Sequence, residues 1–251
     1  MIAILTIALG GAVILGVVVG GRWLEARVWR RSLVALSVRF PRGLKAEQVS
    51  AWLDLVGTLR MPVVLELVAS RDSIRHYVLV PKARQAGLLT GTRALLPGLR
   101  LDEAPDYLMS RATRWRAATE LRITSLSHQL AADRAEMAAA AMLGSLGQLG
   151  PHEAACVQWT LSGVRTPRAR RADDPAKELA RAEKVKHARP LLQAVGRVGV
   201  QAATVARAYG VLNRVVATLR LLDAPSVAIV RRSVPALIAR QRITAPTRMQ
   251  Y

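Results

Sequence analysis

The feature that most constrains this chain is an order of periodicities that occurs twice. Val34, Leu36, Val38 and Phe40 alternate with smaller or polar neighbours, the two-residue period of a half-buried strand. Val49, Trp52, Leu53 and Val56 then recur at i, i+3, i+4, i+7, the stripe of an amphipathic helix. Val63–Ala69 and Ile74–Val80 are β-rich runs separated by polar Ser70-Arg71-Asp72-Ser73, which predicts a hairpin. Pro81 stands where a first helical residue would. Lys82–Leu96 reads as a helix weakened by Gly87 and Gly91, and Leu99–Leu101 as a short strand.

The same order returns further along. Glu120–Thr124 reads as a strand. Asp133 is an expected N-cap for a helix over Arg134–Leu149, which Gly150-Pro151 ends. In Glu153–Leu161, Ala155, Val157, Trp159 and Leu161 alternate against Cys156, Gln158 and Thr160. Leu191–Val200 is a further strand. Val205, Leu212, Val215, Val216 and Leu219 share one face of a helix over Thr204–Leu221, and Val227–Val230 closes the unit. A β-α-β-β-α-β unit is the ferredoxin-like split pattern, with its helices over one face of an antiparallel sheet. The chain therefore predicts an α+β fold with two tandem ferredoxin-like domains. The first spans 34–103 and the second 119–232, with a linker at 104–118 and a tail at 233–251. The second copy carries an insert, 163–190, that opens with Arg165, Arg168, Arg170 and Arg171.

Ahead of both copies, Ile2–Gly20 carries no charge. About 20 helical residues at ~1.5 Å each span the hydrocarbon core of a bilayer. This predicts a transmembrane anchor at 1–21 and a basic juxtamembrane segment at 22–33 carrying Arg22, Arg27, Arg30 and Arg31. No basic side chain precedes the run, which favours a retained anchor over a cleaved signal peptide, with a buried core helix as the other alternative. A positive flank stays cytoplasmic. The expectation is a single-pass cell-membrane protein with its N-terminus outside and its bulk in the cytoplasm. Gly16-x-x-x-Gly20 matches a helix-dimerisation pattern that a Gly-rich run also produces by composition.

The formal net charge of +20 favours phosphate, on DNA or on anionic lipid. Arg165, Arg168, Arg170 and Arg171 are the candidate contact, against the alternative of a solvated loop. Aromatics make up only 4%, few for a single-strand stacking platform. The single cysteine, Cys156, makes no internal disulfide and reads as a small core residue. There is no Gly-Lys dipeptide and so no P-loop, and no G-x-G-x-x-G. His76, His128, His152 and His187 lie in different elements without ligand spacing. Asp102-Glu103 and Asp173-Asp174 read as solvated loop pairs. The expectation is a non-enzyme without cofactor or metal, although a site assembled from scattered residues stays open.

Several stretches together carry a resemblance: Phe40-Pro41-Arg42-Gly43-Leu44, Val63–Ala69, His76–Pro81, Leu95–Leu101, Glu120-Leu121-Arg122, Asp133–Glu136 and Glu153–Trp159. With the apolar N-terminal run, they resemble the N-terminal region of actinobacterial type IV secretion conjugative DNA transfer proteins, the coupling-protein-like ATPases, up to about residue 235. The resemblance implies a membrane-anchored accessory or scaffold component of a DNA transfer system, partnered by a conjugation or secretion ATPase or by its own copies. The family's ATPase domain is not within the 251 residues, so motor activity is not carried over. Two alternatives stand beside this: a direct DNA-binding module using the basic insert, and the front half of a DNA-translocating ATPase.

Overall fold

Alternating side chains set the strands of this protein, and both faces of those strands are covered. The computed structural model describes residues 21–244 except 22–23, 25–27, 30, 60, 111–114, 126–127 and 164–191. The first half contains β1 (Leu33–Arg39), α1 (Ala46–Thr58), β2 (Val63–Ser70), β3 (Ile74–Pro81), α2 (Lys82–Leu95) and β4 (Arg100–Glu103). A short helix, α3 (Tyr107–Ser110), lies in the connection. The second half contains β5 (Ala117–Ile123), α4 (Ala135–Leu146), β6 (Ala154–Gly163), β7 (Leu192–Gln201), α5 (Val205–Leu219) and β8 (Ile229–Arg231), followed by α6 (Ala236–Thr244). Helix α6 falls in the stretch expected to be a tail. Asp133 lies in a 3₁₀ turn ahead of α4 rather than at its N-cap, which Arg134 occupies.

The expectation of two tandem ferredoxin-like domains behind a transmembrane helix is corrected. All eight strands form one antiparallel sheet, in the order β4-β1-β3-β2-β6-β7-β5-β8. The halves join where β2 pairs with β6, from Val63↔Leu161 to Ser70↔Ala154. The physical reason lies in the edges. Strands β2 and β6 are eight and ten residues long and would each expose a row of unpaired N–H and C=O groups. Pairing them removes both edges and leaves only β4, of four residues, and β8, of three, at the outside.

The membrane expectation is corrected as well. Among the described residues no helix is long and apolar enough to cross a membrane. Residues 1–20, on which the anchor was read, lie outside the described residues.

Helices α1, α2, α4 and α5 pack on one face of the sheet. Trp52, Val56 and Leu88 meet Leu36, Val63 and Val78, while Leu146, Leu212 and Val215 meet Leu121, Val157 and Val198. Trp159 packs against both groups and bridges the halves. Gly91 lies where α1 and α2 meet: a Cβ there would stand 2.5 Å from Leu55 Cδ2, so a larger residue would need the Leu55 side chain to shift. Trp52 Nε1 donates to Thr92 Oγ1 at 2.8 Å and ties α1 to α2. Helix α5 is capped by Thr204, whose Oγ1 accepts from the Arg207 amide at 3.2 Å.

The opposite face is covered by α3, α6 and Trp29. Tyr107 of α3 packs with Trp29, Leu33 and Tyr77, and Ala239 and Ile243 of α6 pack with Trp115, Ala118 and Cys156.

Candidate functional site

A row of side chains crosses this second face, one from each of several neighbouring strands. Tyr77 of β3 stands opposite Glu66 of β2. Glu66 stands opposite Gln158 of β6. Gln158 stands opposite Arg197 of β7, and Arg197 opposite Glu120 of β5. Because side chains in a strand alternate between faces, one shared register puts them all on the same side. Glu66, Gln158, Arg197 and Glu120 are 2%, 0%, 3% and 1% exposed. Buried charges are costly unless paired and hydrogen-bonded.

Here the pairing is extensive. Gln158 Nε2 donates to Glu66 Oε1 at 2.7 Å and to the Ile243 carbonyl at 3.3 Å. Tyr107 Oη donates to Glu66 Oε2 at 2.5 Å, and its ring stacks on Tyr77 with centroids 3.6 Å apart. Arg197 Nη1 donates to Gln158 Oε1 at 2.9 Å and Thr160 Oγ1 at 3.2 Å. Its Nε donates to Glu120 Oε2 at 3.2 Å. Glu120 also accepts from Arg232 Nη1 at 2.9 Å and from Arg242 Nη1 of α6 at 3.1 Å. The amide of Gln158 is thus the relay: it donates to the carboxylate of the first half and accepts from the guanidinium of the second.

Burial alone would raise the Glu120 carboxyl, but Arg197 and Arg242 outweigh it and hold the pKa below its ordinary value. Burial lowers the Arg197 guanidinium, and Glu120 opposes that shift. A carboxylate held this firmly by cations is a poor proton acceptor, so Glu120 suits structural pairing rather than general base work. Three guanidiniums on one carboxylate leave a local surplus of positive charge at the β5–β8 end of the sheet.

The sequence-predicted sites fall elsewhere. Arg165, Arg168, Arg170 and Arg171 lie outside the described residues, as do Arg22, Arg27 and Arg30; Arg31 is exposed just ahead of β1. His187 and Asp173-Asp174 also lie outside them. His76 is in β3, where burial lowers its pKa and Phe40 packs edge-on at 5.2 Å. Cys156 is buried against α6. Asp102 meets Arg39 at 3.9 Å on the surface, and Glu103 accepts from Gln85. His128 contacts Ser125 at 2.9 Å, and His152 adopts φ 60° in a turn. Among the described residues no group of three or more His, Cys, Asp or Glu is arranged to hold a metal ion.

Residue-by-residue reading passed over Glu66, Glu120 and Arg197. Glu66 and Arg197 are each the lone charge of an apolar strand, and Glu120 shares its strand with Arg122 alone; that contrast is the signal that could have found them. No family model matches the chain, and no curated protein matches it.

Proposed function

We propose that this chain is a non-catalytic platform that assembles other components. The observation that carries the reading is the buried row itself: its charges are spent on holding two halves, α3 and α6 together as one body. A body stiffened across its full width suits the presentation of fixed surfaces to partners. The setting is DNA transfer, with a motor ATPase or further copies of the chain as partner, and it rests on the resemblance of Phe40–Leu44, Val63–Ala69 and Glu153–Trp159 to coupling-protein-like sequences. Deleting the gene in frame from a transferable element tests this. Transfer should fall at least a hundredfold and return when the full chain is supplied in trans. Undiminished transfer would refute the setting.

A second reading is direct DNA binding, favoured by the net charge of +20 and the Arg165–Arg171 cluster. It expects a steep fall of affinity with salt, with the slope reduced by about 1 for each phosphate contact removed. Changing Arg165, Arg168, Arg170 and Arg171 together to Gln should flatten that slope. An unchanged slope excludes the cluster as the contact.

A further inference from the structure

The face opposite the charged row holds a space that packing leaves unfilled. It lies between α1, α4 and the sheet and measures about 320 Å³. Its walls come from both halves: Trp52 of α1, Leu65 and Leu67 of β2, Met142 of α4, and Val157 and Trp159 of β6. Inner wall residues Trp52, Val78 and Val157 are 8%, 3% and 2% exposed. Phe40, at 53% exposed, stands on the lining beside His76 and marks the mouth. Of the ionisable residues among the described lining, His76 turns its side chain to this face, whereas Glu66 and Tyr77 direct theirs into the row on the other side.

Protein interiors normally close voids larger than a water molecule. A cavity of ~150 Å³ lined by aliphatic and aromatic side chains stays dry and takes up benzene. By that scale about 320 Å³ accommodates an aliphatic group of roughly ten to twelve carbons. Among the described residues the wall includes no Lys or Arg, and burial keeps His76 toward its neutral form, so these residues offer a charged head no partner.

We propose that this space is a binding site for one uncharged aliphatic chain of about twelve carbons, inserted past Phe40 and His76 between α1, α4 and the sheet. The site spans β2 and β6, so it exists only because the halves are joined. It is independent of the DNA-transfer reading and survives or fails apart from it.

The test titrates the full chain with N-phenyl-1-naphthylamine, an uncharged apolar fluorophore that the basic surface does not attract. Saturable binding of one probe per chain is expected, with energy transfer from tryptophan that drops in Trp159→Phe, and displacement by 1-dodecanol. Dodecanoate should compete at least tenfold less well at neutral pH. Leu67→Trp and Met142→Trp fill the space from opposite walls, and each should weaken binding at least tenfold while keeping the wild-type circular dichroism. If one variant does not fold, the other decides, and the energy-transfer loss stands apart from both. Non-saturable uptake, several probes per chain, unchanged transfer in Trp159→Phe, or wild-type affinity in a folded filled variant would overturn the proposal.

Discussion

Gln158 donates to Glu66 at 2.7 Å across the one strand pair that joins the two halves of the sheet. The oxygen of that amide, Gln158 Oε1, accepts from Arg197 Nη1. Replacing Gln158 by Leu leaves a buried carboxylate and a buried guanidinium each short of a partner. The expected cost is about 2–4 kcal/mol of unfolding free energy, read as a lower urea midpoint. A loss below about 0.5 kcal/mol would mean that the relay is not structural.

Arg197 and Arg232 share Glu120 but not its environment. Their side chains are 4% and 42% exposed. Arg197→Met leaves buried Glu120 to Arg232 and Arg242 and takes the donor from buried Gln158 and Thr160, and should cost about 2–4 kcal/mol. Arg232→Met removes a solvent-screened partner and should cost at most about 1 kcal/mol. Urea unfolding of the two variants checks the order, and equal costs would contradict it.

Acid stability should depend on two carboxylates. Arg207 donates to both oxygens of Glu153, at 2.7 and 2.9 Å, and the Gly150 amide donates a further bond. These bonds, led by that of Arg207, lower the Glu153 pKa from 4.5 to about 2. The Glu120 pKa is also lowered. A carboxyl whose pKa is lower folded than unfolded takes up its proton first in the unfolded chain. Its contribution is therefore complete above the ordinary value and is lost as pH falls through the folded one. The melting temperature should decline between about pH 4.5 and about pH 2, and Glu153→Gln should make that decline shallower. An identical acid limb in the variant would refute the assignment.

Gly199 sets how closely α6 approaches the sheet. A Cβ there would lie 2.6 Å from Ile243 Cδ1 and 3.1 Å from Trp115 Cδ2. Gly199→Ala should destabilise by about 1–3 kcal/mol through overpacking and speed tryptic cleavage at Arg240 and Arg242. Ile243→Val in the same chain should recover part of the loss, so the double variant costs less than the sum of the singles. Additive losses would show that the two sites do not press on each other.

Much of the local structure could be read directly from residue order. Val34–Phe40 lies over β1, Val63–Ala69 over β2 and Thr204–Leu221 over α5, because a period of two or of 3.6 is a property of a short segment. That Gly91 faces Leu55 of a different helix could not be read from its own segment, because the contact depends on how α1 and α2 pack. Helix α6 was not foreseen, because its weakly patterned Ala236–Thr244 is held by Glu120 and by the apolar cluster around Cys156 rather than by propensity.

The candidate site divides along the same line. Gln158 and Thr160 already alternate with apolar neighbours, so their common face follows from the strand alone. That the same face brings Glu66 to Gln158 depends on the β2–β6 pairing. Strand pairing is made by backbone N–H and C=O groups, which every residue but proline carries alike. Side-chain order thus specifies the elements and the repeat of their sequence. Whether two repeats remain separate or share an edge depends on which unpaired backbone rows meet, and here their meeting creates one sheet, one charged row and one apolar space.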